Sequence, residues 1–177
     1  MPKRRKKKAP PPIRLSAGPL LDRLSLPFSG QLLVFTDASR QQHGGLAAVL
    51  YAPTEDQPRI ATRSVPAIGS NELELQAAVF GLEQAAHHFP GTRAALFSDN
   101  QDAVNRLRRA KTTGSRQDPA LCTSFPQHDL DSLLANISLN WIPGHARCRG
   151  NAVADEQARS AASGETAPRE AAIPNID

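Results

Sequence analysis

The sequence is poor in several residue types that define particular classes of protein. Its 177 residues include two cysteines, one tryptophan, one tyrosine and one methionine. Two cysteines are too few for a disulfide framework or a structural zinc site. No apolar run approaches the roughly 18 residues that a membrane-spanning helix needs, and no apolar signal stretch follows Met1. We therefore expect a protein without a membrane partner in a reducing, intracellular compartment.

Positive charge is concentrated at one end of the chain. The net charge is +4, but residues 3–8 are six consecutive lysines and arginines, and three prolines follow at 10–12. Outside this block acidic residues outnumber basic ones. Such a block is typical of a solvated arm, a nuclear-import signal or a non-specific phosphate contact. We expect a nuclear location, because the prolines work against the amphipathic helix of the alternative, a mitochondrial presequence.

The middle of the chain has the hydrophobic patterning of a packed core. Short apolar runs predict buried strands, and one apolar stripe at helical spacing follows the third of them. We predict one α/β domain over residues 31–163, a five-stranded mixed sheet flanked by helices. A basic, proline-rich disordered tail and linker precede it at 1–30, and a disordered tail follows at 164–177. The predicted strands are 32–35, 45–51, 59–65, 93–98 and 137–142, and the predicted helices are 71–88, 101–111, 129–136 and 151–163.

Four acidic residues lie at the edges of the most apolar segments. Asp37 and Asp99 end predicted strands, whereas Glu74 and Asp155 lie within predicted helices. Aspartates at the ends of adjacent buried strands would bring like charges together, which is costly unless a cation neutralises them. Hard oxygen ligands suit Mg²⁺ or Mn²⁺. Each residue taken alone also has a structural interpretation, and Asp99 could simply cap the helix that follows it.

Helix geometry distinguishes Glu74 from Glu72. Residues two apart on a helix point about 200° apart, so only one of the two can face the sheet. Glu74 shares its face with small residues that permit close packing, whereas Glu72 lies on the opposite side. We therefore predict that Glu74 belongs to the site and that Glu72 is solvated.

Four short motifs follow one another along the chain. They are Thr-Asp-Ala-Ser at 36–39, Glu-Leu-Gln-Ala-Ala at 74–78, Phe-Ser-Asp-Asn at 97–100, and the Trp-Ile-Pro-Gly-His stretch at 141–145 leading to Asp155. Their order resembles the type 1 ribonuclease H family, especially the domains found in retroelement polyproteins. The resemblance runs from about residue 31 to residue 163. It implies a ribonuclease H-like fold.

The resemblance also implies residue roles. Asp37 would bridge two Mg²⁺ ions, for which Mn²⁺ could substitute; Glu74 and Asp99 would complete the site of one ion, and Asp155 would hold the other. His145 would assist water activation or product departure. Ser70 and Asn71 match positions that touch the nucleic acid in its minor groove. We interpret Asn151 as a helix cap, and Trp141 and Phe97 as core residues.

The activity implied by the resemblance is endonucleolytic hydrolysis of the RNA strand of RNA–DNA hybrids, by a monomer, leaving 5′-phosphate and 3′-hydroxyl ends. Two alternatives stay open at this point. One is a catalytically silent module that binds hybrid or RNA, and the other is exonuclease or structure-specific DNA cleavage at the same kind of site. Residues 112–127 form a predicted loop without the basic helical protrusion that some bacterial members use. Residues 3–8, with Arg106, Arg108, Arg109 and Lys111, could supply the electrostatic contact with the substrate instead.

Overall fold

The chain folds around one five-stranded mixed sheet. In a computed structural model, residues 14–144 and 147–164 are described. The strands are β1 (Leu32–Arg40), β2 (Gly44–Tyr51), β3 (Arg59–Val65), β4 (Ala94–Ser98) and β5 (Ile137–Trp141), in the spatial order β3-β2-β1-β4-β5. The first three strands pair antiparallel, and β4 and β5 continue the sheet parallel to β1. This confirms the predicted fold class.

Six α-helices accompany the sheet among the described residues. The two long helices nearest its centre are α2 (Ser70–His88) and α6 (Arg149–Ser163). The others are α1 (Asp22–Ser25), α3 (Gln101–Thr113), α4 (Pro119–Ser124) and α5 (Leu130–Leu134). Helix α4 and a 3₁₀ turn at Ser115–Gln117 occupy a region predicted as loop. Asp118 caps α4 and Pro119 begins it. The few apolar residues of this segment did not indicate a helix. Within the described ranges, no helix is long and apolar enough to cross a membrane.

Alternate residues of the central strands supply two cores on opposite faces of the sheet. Val34 and Leu96 face α2 and α3, whereas their neighbours Phe35 and Phe97 stack on each other at 5.0 Å on the α6 side. The period of two residues along a strand explains this division. Because both faces are covered, β1 and β4 consist of nearly continuous apolar residues, as the sequence indicated.

The N-terminal boundary differs from the prediction. Residues 14–30 were expected to be a disordered linker, but Leu20 is 2% exposed in the core of the α6 face and the Phe28 ring contacts Phe97 edge-on at 5.0 Å. Helix α1 and a 3₁₀ turn at Leu26–Phe28 lie between these two anchors. The prolines and the basic block led us to assign all of residues 1–30 to a tail, although Leu20, Leu21, Leu24 and Phe28 are apolar. Residues 1–13, with the basic block, and residues 165–177 lie outside the described residues.

Helix α6 approaches the sheet most closely at Gly45 of β2. A Cβ atom at Gly45 would lie 2.0 Å from the Ala158 carbonyl oxygen and 2.5 Å from the Ala162 amide nitrogen. Both atoms belong to the helix backbone, so no side-chain rotation could relieve the contact. The alanine-rich buried face of α6 and the glycine opposite it therefore set the distance between helix and sheet.

We predict that Gly45→Ala destabilises the fold by about 3 kcal/mol, because α6 must move as a whole to admit the methyl group. Denaturant unfolding measures the change. Gly18→Ala is the matched control, since a Cβ there would meet nothing closer than 3.9 Å. Equal stability of the two variants would contradict the close packing of α6 on β2.

Candidate active site

The carboxylates of Asp37 and Asp99 come together because of strand register. Phe35 of β1 pairs with Phe97 of β4, and each aspartate follows two residues later on its strand's path. Asp37 was predicted to end its strand, but β1 continues to Arg40, and Asp37 pairs with Ala47 of β2. The parallel pairing with β4, however, extends only from Leu32 to Phe35. Asp37 therefore lies just beyond the point where β1 and β4 separate.

Glu74 reaches the same point from α2. Oxygen atoms of Asp37, Glu74 and Asp99 all lie within 4.8 Å of one another, so these three residues could hold a metal ion. Glu72 is exposed, as helix geometry predicted. The buried face of α2 that accompanies Glu74 consists largely of alanines and Gly81, and these small residues let the first turns of α2 pack close to the sheet.

Asp155 lies beside the three-residue cluster without being part of it. Its charge contributes to the raised pKa of Asp37, and its Oδ2 atom accepts a hydrogen bond from Arg159 Nη2 at 2.5 Å. The side chain of Asp155 is 40% exposed, whereas Asp37 is buried. Thus the structure brings three of the four predicted carboxylates into one group, and the fourth lies near enough to act on it electrostatically while pairing with an arginine on its own helix.

Burial and mutual repulsion favour the neutral forms of the two innermost acids. Burial, with the charges of Asp99 and Asp155, raises the pKa of Asp37 to about 8. Burial, followed by the charges of Asp37 and Asp99, raises the pKa of Glu74 to about 9. A hydrogen bond from the Ala38 amide opposes both shifts. Burial and the repulsion among these carboxylates therefore dominate the electrostatics of the site.

The donor set fits a hard divalent cation. The cluster offers only carboxylate oxygens, which Mg²⁺ and Mn²⁺ prefer. The buried Oε2 atom of Glu74 has no hydrogen-bond partner among the described residues. A cation in reach of all three carboxylates would satisfy this atom and relieve the repulsion that helps to raise the pKa values of Asp37 and Glu74.

Of the other predicted site residues, the structure describes Ser70 and Asn71. Ser70 and Asn71 are exposed at the start of α2, and Asn71 Oδ1 accepts a hydrogen bond from Asn100 Nδ2 at 3.2 Å. His145 lies outside the described residues. Its neighbour Gly144 passes close to the cluster, since a Cβ there would lie 2.8 Å from Asp99 Oδ2.

Four earlier assignments, two of caps and two of core residues, can be compared with the structure. Asn100, which the sequence reading did not single out, caps α3 by accepting a hydrogen bond from the Ala103 amide at 2.8 Å, so Asp99 is not the cap. Asn151 is wrong as a cap, because α6 already begins at Arg149 and Asn151 is buried in its first turn. Phe97 is a core residue, but Trp141 is 43% exposed, with Nε1 donating to the Asp99 carbonyl oxygen at 2.9 Å.

The five-stranded mixed sheet, with acidic side chains gathered where its central strands separate, defines an α/β fold of the ribonuclease H-like class. The family model described as RNase H matches residues 29–163. The chain belongs to the RNase H family, and it is accordingly an enzyme of the ribonuclease H type.

Solved structures share the fold at low sequence identity. RNase H1 from the archaeon Halobacterium salinarum NRC-1 is 22% identical, with a TM-score of 0.57, covering 76% of this chain and 99% of that one. The foamy viral protease-reverse transcriptase in complex with dsDNA is 13% identical, with a TM-score of 0.61, covering 77% and 97%. LC11-RNase H1 in complex with an RNA/DNA hybrid is 15% identical, with a TM-score of 0.59, covering 76% and 98%. A search of curated proteins found no match.

The raised pKa values predict how stability depends on pH. With EDTA present, the folded protein keeps protons on Asp37 and Glu74 that the unfolded chain, with pKa values near 4, has released. The free energy of unfolding should therefore fall as pH rises from about 5 to about 9. Denaturant unfolding at several pH values checks this, and added Mg²⁺ should flatten the curve because it favours the charged carboxylates.

Asp37→Asn provides the control for this pH dependence. It removes the most buried charge, so at pH 8 in EDTA the variant should be more stable than the natural protein, by about 1–3 kcal/mol. It should also gain less stability from Mg²⁺. A variant less stable than the natural protein under these conditions would show that the cluster is not under electrostatic strain.

Proposed function

We propose that this protein hydrolyses the RNA strand of RNA–DNA hybrids as a divalent-metal-dependent endonuclease. The single observation that carries the proposal is the convergence of Asp37, Glu74 and Asp99 at the point where β1 and β4 separate. Family membership supplies the reaction class, and LC11-RNase H1, with the same fold, is known in complex with an RNA/DNA hybrid.

The four carboxylates are proposed to hold two Mg²⁺ ions, for which Mn²⁺ could substitute. Asp37 would face both ions, Glu74 and Asp99 would complete the site of the first, and Asp155 would hold the second. Ions held by these carboxylates would supply the Lewis-acid chemistry that activates water and stabilises the leaving oxygen. The proposed products carry 5′-phosphate and 3′-hydroxyl ends. Arg159 would have to share or release Asp155. His145, outside the described residues, is proposed to assist water activation or product departure.

Selection of the hybrid requires contacts away from the reacting phosphate. A nuclease for RNA paired with DNA must read the 2′-hydroxyl, since this group distinguishes the two strands. Ser70 and Asn71 are exposed beside the cluster, and the hydrogen bond with Asn100 fixes the orientation of the Asn71 amide. We propose that these two residues contact the minor groove. Contacts of this kind read sugar and backbone, so cleavage should depend little on base sequence.

Glu74→Gln should abolish hybrid cleavage while leaving hybrid binding in place. The amide keeps the shape but loses a charge that a metal ion needs, so we expect at least about a hundredfold loss in kcat. Glu72→Gln is the matched control on the same helix, because Glu72 is exposed. Cleavage of a labelled hybrid in Mg²⁺, Mn²⁺ or EDTA is measured beside single-stranded RNA and duplex DNA.

The same assay separates the alternative functions. Binding of hybrid without cleavage by the natural protein would favour a silent binding module and contradict the proposed enzyme. Cleavage of duplex DNA in preference to hybrid would favour the DNA nuclease. Products that shorten from one end would indicate an exonuclease.

The basic residues 3–8 are proposed to contact substrate phosphates, and also to direct the protein to the nucleus; both roles concern residues outside the described ranges. Replacing all six with glutamine should weaken hybrid binding and reduce the steepness with which binding falls as salt rises. Binding curves over a salt series measure the slope. Identical slopes for the two proteins would exclude the tail from substrate binding. The protein is further proposed to act as a monomer, which stays a prediction.

A further inference from the structure

The segment before the family-matched region makes specific contacts with the start of α6. The family match begins at residue 29, whereas ordered chain is described from residue 14. Leu20 and Phe28 bury this segment against the core on the α6 face. The segment is therefore an addition to the matched domain that shares its core.

Four hydrogen bonds join this segment to residues 147–150. Ser16 N donates to the Arg147 carbonyl oxygen at 2.8 Å, and Ser16 Oγ accepts from the Arg149 amide at 3.0 Å. Arg149 Nε donates to the Ser16 carbonyl oxygen at 3.0 Å, and the Gly150 amide donates to the Pro19 carbonyl oxygen at 3.0 Å. Every one of these bonds connects positions more than 120 residues apart in the chain.

These contacts replace a cap that α6 lacks in its own sequence. The first amides of a helix have no partner within the helix, and a side chain at the preceding position usually accepts from one of them. Here that position is Cys148, which makes no capping hydrogen bond. Ser16 and Pro19 satisfy two of the unpartnered amides instead, so the cap of α6 comes from the N-terminal segment.

The start of α6 determines where Asp155 lies. Asp155 follows Arg149 by six residues, which is about 9 Å along a helix. Gly150 packs against the Phe35 ring so closely that a Cβ would lie 2.5 Å from it. The cap and this contact together restrict sliding and rotation at the start of α6. Phe35, which the start of α6 contacts, lies two residues before Asp37 on β1. A loosened helix start would therefore displace Asp155 relative to Asp37.

We propose that Ser16–Leu20 is a positioning element that holds the first turn of α6, and through it Asp155, in register with the carboxylate cluster. This inference rests on the proposed function for its catalytic consequence. Ser16 acts through the helix and touches neither substrate nor metal. If Ser16 has this role, full activity requires residues that precede the RNase H match.

The test compares three variants of the full chain. Ser16→Ala removes the hydroxyl cap, Ser16→Thr keeps a hydroxyl, and Ser25→Ala is the matched control. Ser25 lies in the same segment, but its hydroxyl donates only to the Asp22 carbonyl oxygen within its own turn. Three quantities are measured: amide hydrogen exchange at residues 149–152, Mn²⁺ binding to the protein without substrate, and kcat and KM on the hybrid with Mg²⁺.

Ser16→Ala should speed amide exchange at Arg149 and Gly150 by about fivefold, the usual effect of losing a cap. It should weaken Mn²⁺ binding and lower kcat by about tenfold with KM little changed, because a displaced ligand impairs the reacting geometry more than substrate contact. Ser16→Thr should restore all three quantities, and Ser25→Ala should leave them unchanged.

Faster exchange in Ser16→Ala with unchanged Mn²⁺ binding and unchanged kcat would overturn the proposal, since the segment would then be only structural. An equal loss in Ser25→Ala would overturn it too. If the natural protein does not cleave hybrid, the proposed function fails separately, while exchange and Mn²⁺ binding still decide whether Ser16 positions the helix that carries Asp155.

Discussion

The repulsion among carboxylates at the separation of β1 and β4 is the constraint on which the site depends. Strand register places Asp37 and Asp99 at equivalent positions, and α2 adds Glu74 to the same point. Packing therefore holds together charges that would separate in water. Burial and the neighbouring charges raise the pKa values of Asp37 and Glu74 for this reason. A cation bound there would relieve this repulsion, and the packing of the surrounding core holds the acids in place.

Much of the fold was accessible from sequence because its strong signals are local. The apolar runs of β1 and β4 and the stripe on α2 each occupy one continuous segment, so periodicity alone identified them. The choice of Glu74 over Glu72 also followed from helix geometry. The extent of β1 could not be predicted, because Asp37, Ser39 and Arg40 are polar; only pairing with β2, from Asp37↔Ala47 to Arg40↔Gly44, keeps them in a strand.

The parts that sequence reasoning missed depend on contacts between distant positions. Leu20 is buried in the core of the α6 face and the Phe28 ring contacts Phe97 of β4, so the burial of both residues depends on distant parts of the chain. Trp141 was expected in the core, yet its ring is half-exposed and anchored through Nε1 to the Asp99 backbone. Asn151 was expected to cap α6, but the hydroxyl of Ser16 takes that role from the other end of the chain. Residue type alone could not distinguish these outcomes.

Asp155 forms an ion pair with Arg159, one turn later on the same helix. The Asp155 side chain is 40% exposed, and that of Arg159, one helical turn later, is 64% exposed. An exposed pair of this kind contributes little to stability, so the fourth carboxylate can exchange this partner at small cost. Asp37 on β1 and Glu74 on α2 are held instead by elements that pack in the core. A cation arriving from solvent would therefore meet acids fixed by the core and, at Asp155, a side chain that can leave its arginine partner, at a position set by the register of α6.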